Sequence, residues 1–129
     1  MRVALDTNAY RAAAEGRGRV VEVLRRAQSI HIPFVVLGEL RVGFAIGTLG
    51  KRNEAKLTEF LASPRVRALS ADEQTTHHYG ALFAQLRKQG TPIPTNDIWI
   101  AALAVQHDLP LLSADRHFAR LPQVLLLDP

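Results

Sequence analysis

The chain contains no cysteine, which removes both a disulfide framework and a thiolate-bound zinc centre from consideration. It has no long apolar run either. The longest, Ile98 to Val105, falls far short of the roughly 20 residues a membrane span needs, and the N-terminus carries no apolar signal region. A soluble, cytoplasmic protein with no membrane association is expected. No G-x-G-x-x-G or P-loop follows any candidate strand, so a nucleotide-binding enzyme is disfavoured. Repeats, low-complexity tracts and linkers long enough to separate two domains are missing as well. Aromatics make up only 6% of the residues, and Trp99 and Phe44 have apolar neighbours that assign them to a core sooner than to stacked bases.

What remains is a chain of 129 residues, 47% hydrophobic, sized to build one core, and a single domain over residues 1–129 is expected. Sixteen Lys and Arg against twelve Asp and Glu give a formal net charge of +4. The cations are mostly Arg, whose fork matches phosphate. Arg17, Arg19, Arg25, Arg26, Lys51, Arg52, Lys56, Arg65 and Arg67 are spread through the first half instead of forming a tail. An anionic partner is one reading, with nucleic acid first among candidates; a solvated basic surface is the other.

Along the chain, apolar strand-like runs alternate with helical patterns. Arg2–Leu5, Ser29–Ile32, Val66–Leu69, Leu109–Leu112 and Gln123–Leu127 read as strands. Between them, residues 8–14, 19–27, 34–46 and 51–61 read as helices. A Ser70-x-x-Glu73 capping box opens a long helix that Gly90, Pro92 and Pro94 stop. Thr95-Asn96-Asp97 opens a helix over 98–106, and a short helical turn covers 116–119. Such alternation predicts a three-layer α/β/α sandwich around a mostly parallel sheet of about five strands.

Four acids stand out against this frame. Asp6 ends the first strand in "RVALDTN", and Asp115 follows the fourth in "LLSAD". Ligands of open α/β sheets bind outside the carboxyl ends of the strands, so parallel pairing would bring both acids to one edge. Glu39 is the lone acid of the apolar helix "FVVLGELRVGF", where a carboxylate is costly unless paired or bound to a cation. Asp97 lies in the first turn of "TNDIWIAALAV". Each has an ordinary explanation: Asp97 as a dipole-favouring acid, Asp115 as the cap of the next helical turn, Glu39 as the partner of Arg41 or another Arg. Asp6 is the hardest to explain this way, since a strand end offers it no obvious duty.

As an ordered set, "LDTN", "LGELRVG", "TNDIWIAALA" and "LLSAD" make nearly the whole chain resemble the PIN domain family, in particular the VapC-type ribonuclease toxins of bacterial toxin–antitoxin pairs. The resemblance implies a metal-dependent endoribonuclease in which Asp6, Glu39, Asp97 and Asp115 hold one or two Mg²⁺ or Mn²⁺ ions. It implies that Asp115 acts through bound water and that Asn8 and Ser113 orient the acids, with Thr7 and Asn96 as lesser candidates. It further implies an RNA substrate, a homodimer and a VapB-like antitoxin whose C-terminal segment lies in an apolar groove.

The chemistry is consistent with this. Hard divalent cations prefer oxygen ligands and lower the pKa of a bound water, so hydrolysis needs neither Cys nor a general-base His. His77 and His78, adjacent on the long helix, do not share a face. His117 lies two residues past Asp115 and is assigned to the surface. Two other classes stay open: a receiver-like phosphoacceptor, which needs an acid pair and a late Lys that this chain lacks, and a non-catalytic PIN-like scaffold that binds RNA or protein.

Overall fold

A computed structural model describes residues 1–129. Five strands form one sheet: β1 (Arg2–Leu5), β2 (Ser29–Pro33), β3 (Val66–Leu69), β4 (Leu111–Leu112) and β5 (Leu126–Leu127). Their order is β3-β2-β1-β4-β5 and every neighbouring pair is parallel. Six helices flank the sheet, namely α1 (Thr7–Ala14), α2 (Gly18–Arg26), α3 (Phe34–Ile46), α4 (Gly50–Ala62), α5 (Glu73–Gln89) and α6 (Thr95–Gln106). A 3₁₀ helix covers Arg116–Arg120. The α/β sandwich is the architecture expected from the alternation of apolar strands and helices.

The strand order positions the site. From β1 the chain winds one way through β2 and β3, then crosses back to lay β4 on the other side of β1. The winding therefore reverses between β1 and β4, and the crevice at such a point is where open α/β sheets bind ligands. Register finishes the placement: Leu5 pairs with Leu112, so the next residues, Asp6 and Ser113, leave the sheet side by side.

The core follows from apolar strands buried on both faces. Val3, Ala4, Leu5, Ile30, Ile32, Leu111 and Leu112 are buried, in one core cluster with Ile98, Ile100, Ala101, Ala102 and Ala104 of α6. Short side chains at 101, 102 and 104 let α6 approach closely.

Several expected boundaries shift for identifiable reasons. The helix after β3 is capped not by Ser70 with Glu73 but by Asp72 with Thr75: Asp72 accepts from the Thr75 N–H at 3.1 Å, and the Thr75 hydroxyl accepts from the Asp72 N–H at 2.9 Å. The same box chemistry operates two residues later, with Thr in the reciprocal role. Gly90 ends α5 in the left-handed region at φ +69°, where a side chain would be strained. Helix α6 begins at Thr95, with Pro94 in the cap position and no side-chain cap. Strands β4 and β5 are shorter than expected because Pro110 has no N–H for the ladder and because the chain through 122–124 turns, Val124 N–H bonding to the Leu121 carbonyl at 3.0 Å.

Helix α3 is less enclosed than its composition suggests. Only Val36 and Leu40 are fully buried, whereas Phe34, Val42 and Ile46 are exposed. Part of the basic surface is also internally committed. Arg65 donates to the carbonyls of Leu24 at 2.9 Å and Ala27 at 2.6 Å, closing the C-terminal end of α2, and Arg41 pairs with Glu54 at 2.9 Å.

Candidate active site

Asp6, Glu39, Asp97 and Asp115 line one open cleft of about 680 Å³ at the carboxyl edge of β1 and β4. Three elements and one loop deliver them. Asp6 stands at the end of β1 and Glu39 midway along α3, while Asp97 lies in the first turn of α6 and Asp115 just before the 3₁₀ helix. Thr7, Asn8, Arg11, Asn96 and His117 complete much of the polar wall.

Asp6 does have an ordinary duty. Its Oδ1 accepts from the Ala9 N–H at 2.8 Å and caps α1. Its Oδ2 turns the other way and accepts from the Ser113 hydroxyl. Asp6 is only 4% exposed, and burial raises its pKa above the ordinary 3.8. The bonds from Ser113 and Ala9 work against that rise, while the nearby charges of Asp115 and Glu39 add to it. A deep carboxylate that rests on two donors and faces two other acids carries a charge that a cation would relieve.

Glu39 does not pair with Arg41, which bonds to Glu54 instead. Its Oε1 accepts from the Thr7 hydroxyl at 2.6 Å, so a residue given a lesser orienting role in sequence makes the direct contact. Asn8, by contrast, is an exposed rim residue whose Oδ1 lies 3.5 Å from Arg11 Nη1. Asn96 also lines the cleft and is exposed.

Asp97 and Asp115 come together around His117. The imidazole Nδ1 is 3.2 Å from Asp97 Oδ2 and 3.1 Å from Asp115 Oδ1. His117 is therefore not a plain surface residue: its side chain is 39% exposed and its ring closes one wall of the cleft. Asp115 also caps the 3₁₀ helix through the His117 N–H at 2.9 Å, so its capping role coexists with its place in the cleft. Burial raises the pKa of Asp97, opposed first by the hydrogen bond from His117 and assisted by the charges of Asp115 and Glu39. The only sequence signal for His117 was its position two residues past Asp115; the structure adds the 3₁₀ turn and the buried Phe118 that hold the ring against the acids.

Elsewhere the histidines and aromatics stay clear of the acids. His77 and His78 do not line the cleft. Trp99 is half-buried and stacks on Tyr79 with ring centroids 3.9 Å apart, and Phe44 packs partly buried against the core.

The donor set fits a hard divalent cation. Its oxygens come from four carboxylates, and no Lys or Arg forms a salt bridge with any of them. Like charges gathered at one edge without a protein cation repel until an ion arrives. The fold and this site thus define a parallel α/β domain with an acidic cleft, suited to a cation, at its topological switch point. A family model, the PIN domain, matches residues 3–124, and the chain belongs to that family. Among characterised relatives it is 32% identical over 93 residues to ribonuclease VapC4 of Mycobacterium tuberculosis, covering 72% of each chain. To ribonuclease VapC2 of Rickettsia felis it is 30% identical over 107 residues, covering 82% of this chain and 78% of that one. In three dimensions it matches a chain of the VapBC2 complex of Rickettsia felis bound to a DNA fragment from its promoter, with TM-score 0.88, 28% identity and coverage of 99% and 98%. The DNA-bound VapBC complex of Salmonella typhimurium gives TM-score 0.89 at 27% identity, with the same coverage.

Proposed function

We propose that this chain is a divalent-metal-dependent endoribonuclease, a single domain over residues 1–129 acting as the toxin of a toxin–antitoxin pair. The observation that carries the reading is the convergence of Asp6, Glu39, Asp97 and Asp115 in one cleft of a chain with VapC ribonucleases among its relatives. In this reading Asp6, Glu39 and Asp97 bind the ion directly and Asp115 acts through a water. When bound, Mg²⁺ or Mn²⁺ supplies Lewis-acid activation of water and charge stabilisation at the phosphodiester.

The remaining roles belong to the protein. Ser113 holds Asp6 Oδ2 in place, and Thr7 fixes the Glu39 carboxylate. Arg11 on the rim, the nearest guanidinium lining the cleft, holds a phosphate at the entrance. The other exposed Arg side chains position the RNA without reading its sequence.

The antitoxin reading draws on the VapBC complexes among the structural relatives. A cavity of about 510 Å³, lined by Tyr10, Ala13, Val21, Leu24 and Phe60 with Arg25, Lys56 and Arg65 at its margin, lies away from the acids and suits an apolar segment carrying acidic neighbours. A homodimer and a cytoplasmic site of action belong to the same reading. No helix is long and apolar enough to cross a membrane.

Purified protein incubated with 5′-labelled structured RNA tests the activity. Cleavage at discrete positions is expected with Mg²⁺ or Mn²⁺, none after chelation, and none from Asp97→Asn. Cleavage that survives chelation, or that persists in Asp97→Asn, refutes the reading.

A further inference from the structure

The acids of the cleft do not form a uniform all-oxygen set, because one wall carries a nitrogen. His117 Nδ1 lies 3.2 Å from Asp97 Oδ2 and 3.1 Å from Asp115 Oδ1, and single donor atoms of all three residues fall within 4.8 Å of one another. His117 Nδ1 and Asp97 Oδ2 are near enough to share one ion, whose neighbouring ligands stand about 3 Å apart, and Asp115 lies beside them, placed to act through a water.

Placement of the ring is determined by the fold. Phe118, 1% exposed, anchors the 3₁₀ helix in the core, and the Asp115 cap on the His117 N–H fixes the turn that carries the imidazole. The ring is held by its chain neighbours on one side and faces carboxylates on the other. Asp115 itself is braced by its N–H, which bonds to the Ser113 hydroxyl at 2.9 Å, and Ser113 in turn donates to Asp6. The imidazole is thus tied through short bonds to the deepest acid of the site.

We infer that His117 is a nitrogen ligand of the ion that Asp97 binds, with Asp115 reaching it through a water, and that it makes the cleft selective for a first-row transition ion such as Mn²⁺ over Mg²⁺. This rests on the metal-dependent reading of the same cleft. Mg²⁺ demands an oxygen environment and keeps its waters, whereas first-row transition ions accept imidazole with an affinity that rises from Mn²⁺, the weakest of them, so Mn²⁺ sets the lower bound of the preference. Four carboxylates alone would accept either ion. The ring nitrogen is the feature that separates them: without an ion Nδ1–H is the donor to the carboxylates, and on ion binding the ring exchanges to the tautomer protonated at Nε2, which presents the Nδ1 lone pair.

Metal titrations of the protein, with electron spin-echo spectroscopy of bound Mn²⁺, test this without any activity measurement. Wild type is expected to bind Mn²⁺ at least about 10-fold more tightly than Mg²⁺ and to show ¹⁴N coupling to the ion. In His117→Ala the coupling disappears and the Mn²⁺ preference collapses toward unity, while Mg²⁺ affinity changes little. Circular dichroism melts of His117→Ala without metal establish that the variant is folded. His117→Gln, which offers an amide oxygen, is expected to bind both ions with similar affinity and to show no coupling. Mn²⁺ binding that is abolished by Asp97→Asn yet carries no ¹⁴N coupling in wild type, or keeps it in His117→Ala, overturns the nitrogen ligand and leaves the nuclease reading intact. Absence of saturable binding of either ion to wild type overturns both.

Discussion

Ser113, 107 residues downstream of Asp6, donates its hydroxyl to Asp6 Oδ2, and both residues are almost wholly buried. The bond joins the carboxyl ends of β1 and β4 across the point where the sheet reverses its winding. It also reaches further, since the same Ser113 oxygen accepts from the Asp115 N–H. One hydroxyl therefore orients two of the four acids.

Ser113→Ala should accordingly weaken the site more than the fold. Loss of the bond that favours the charged form of Asp6 pushes its pKa higher still. Residues that orient metal ligands typically contribute about 10–100-fold in affinity or rate, and a loss in that range is expected for Mn²⁺ binding and RNA cleavage. Unchanged affinity and rate in a folded Ser113→Ala protein would remove Ser113 from the site.

Thr7→Val removes the hydroxyl that bonds to Glu39 Oε1 at 2.6 Å while keeping the side-chain shape. Glu39 then samples other rotamers, and the cleavage rate should drop by about 10-fold or more with little change in melting temperature. Thr7→Ser, which retains the hydroxyl, should recover most of the rate. If valine and serine behave alike in cleavage assays, the contact has no functional weight.

The metal-free protein should be more stable in acid than near neutrality as far as these acids decide it. Burial raises the pKa of Asp6 and Asp97 in the folded state above the ordinary 3.8, so the folded chain binds more protons than the unfolded one between those values. Stability from these groups is fully present below 3.8 and is lost as pH rises through the raised folded-state values. Asp6→Asn keeps a good N-cap for α1 and removes that charge, so its metal-free melting temperature should exceed wild type at neutral pH and depend less on pH. Added Mn²⁺ should stabilise wild type by preferential binding to the folded state and stabilise Asp6→Asn far less. Thermal melts over pH, with and without metal, check all three; an Asp6→Asn melting temperature below wild type at neutral pH would contradict the repulsive cluster.

Thr75 provides the converse case, a buried polar side chain remote from the acids. Its hydroxyl bonds Gln106 Oε1 at 2.6 Å and completes the capping box with Asp72, joining α5 to α6. Thr75→Val should cost about 1–3 kcal/mol in chemical denaturation by leaving partners unpaired. Metal affinity should be unchanged. A Thr75→Val protein that loses metal binding while still folded would mean that the α5–α6 junction controls the cleft.

Periodicity and local chemistry sufficed for much of this molecule. The runs at Arg2–Leu5, Ser29–Pro33 and Val66–Leu69 are strands because short stretches rich in β-formers put Val3 to Leu5 in the core on both faces and Ile30, Ile32 and Val66 in it on one, and helices between them follow from spacing, glycine stops and caps. The four acids were also legible, each at an element boundary or isolated in an apolar helix, where a carboxylate needs a reason. Their arrangement was not, because strand order is set by which surfaces bury best and not by order along the chain. Only tertiary structure placed β4 beside β1, so that Asp6 meets Ser113; gave Glu39 to Thr7 instead of Arg41; and turned His117 from the surface into the wall of the cleft. Local sequence specifies backbone preference and polarity within a few residues. Contacts between residues 20 to 107 positions apart arise only when the core closes and one packing satisfies more buried groups than its competitors.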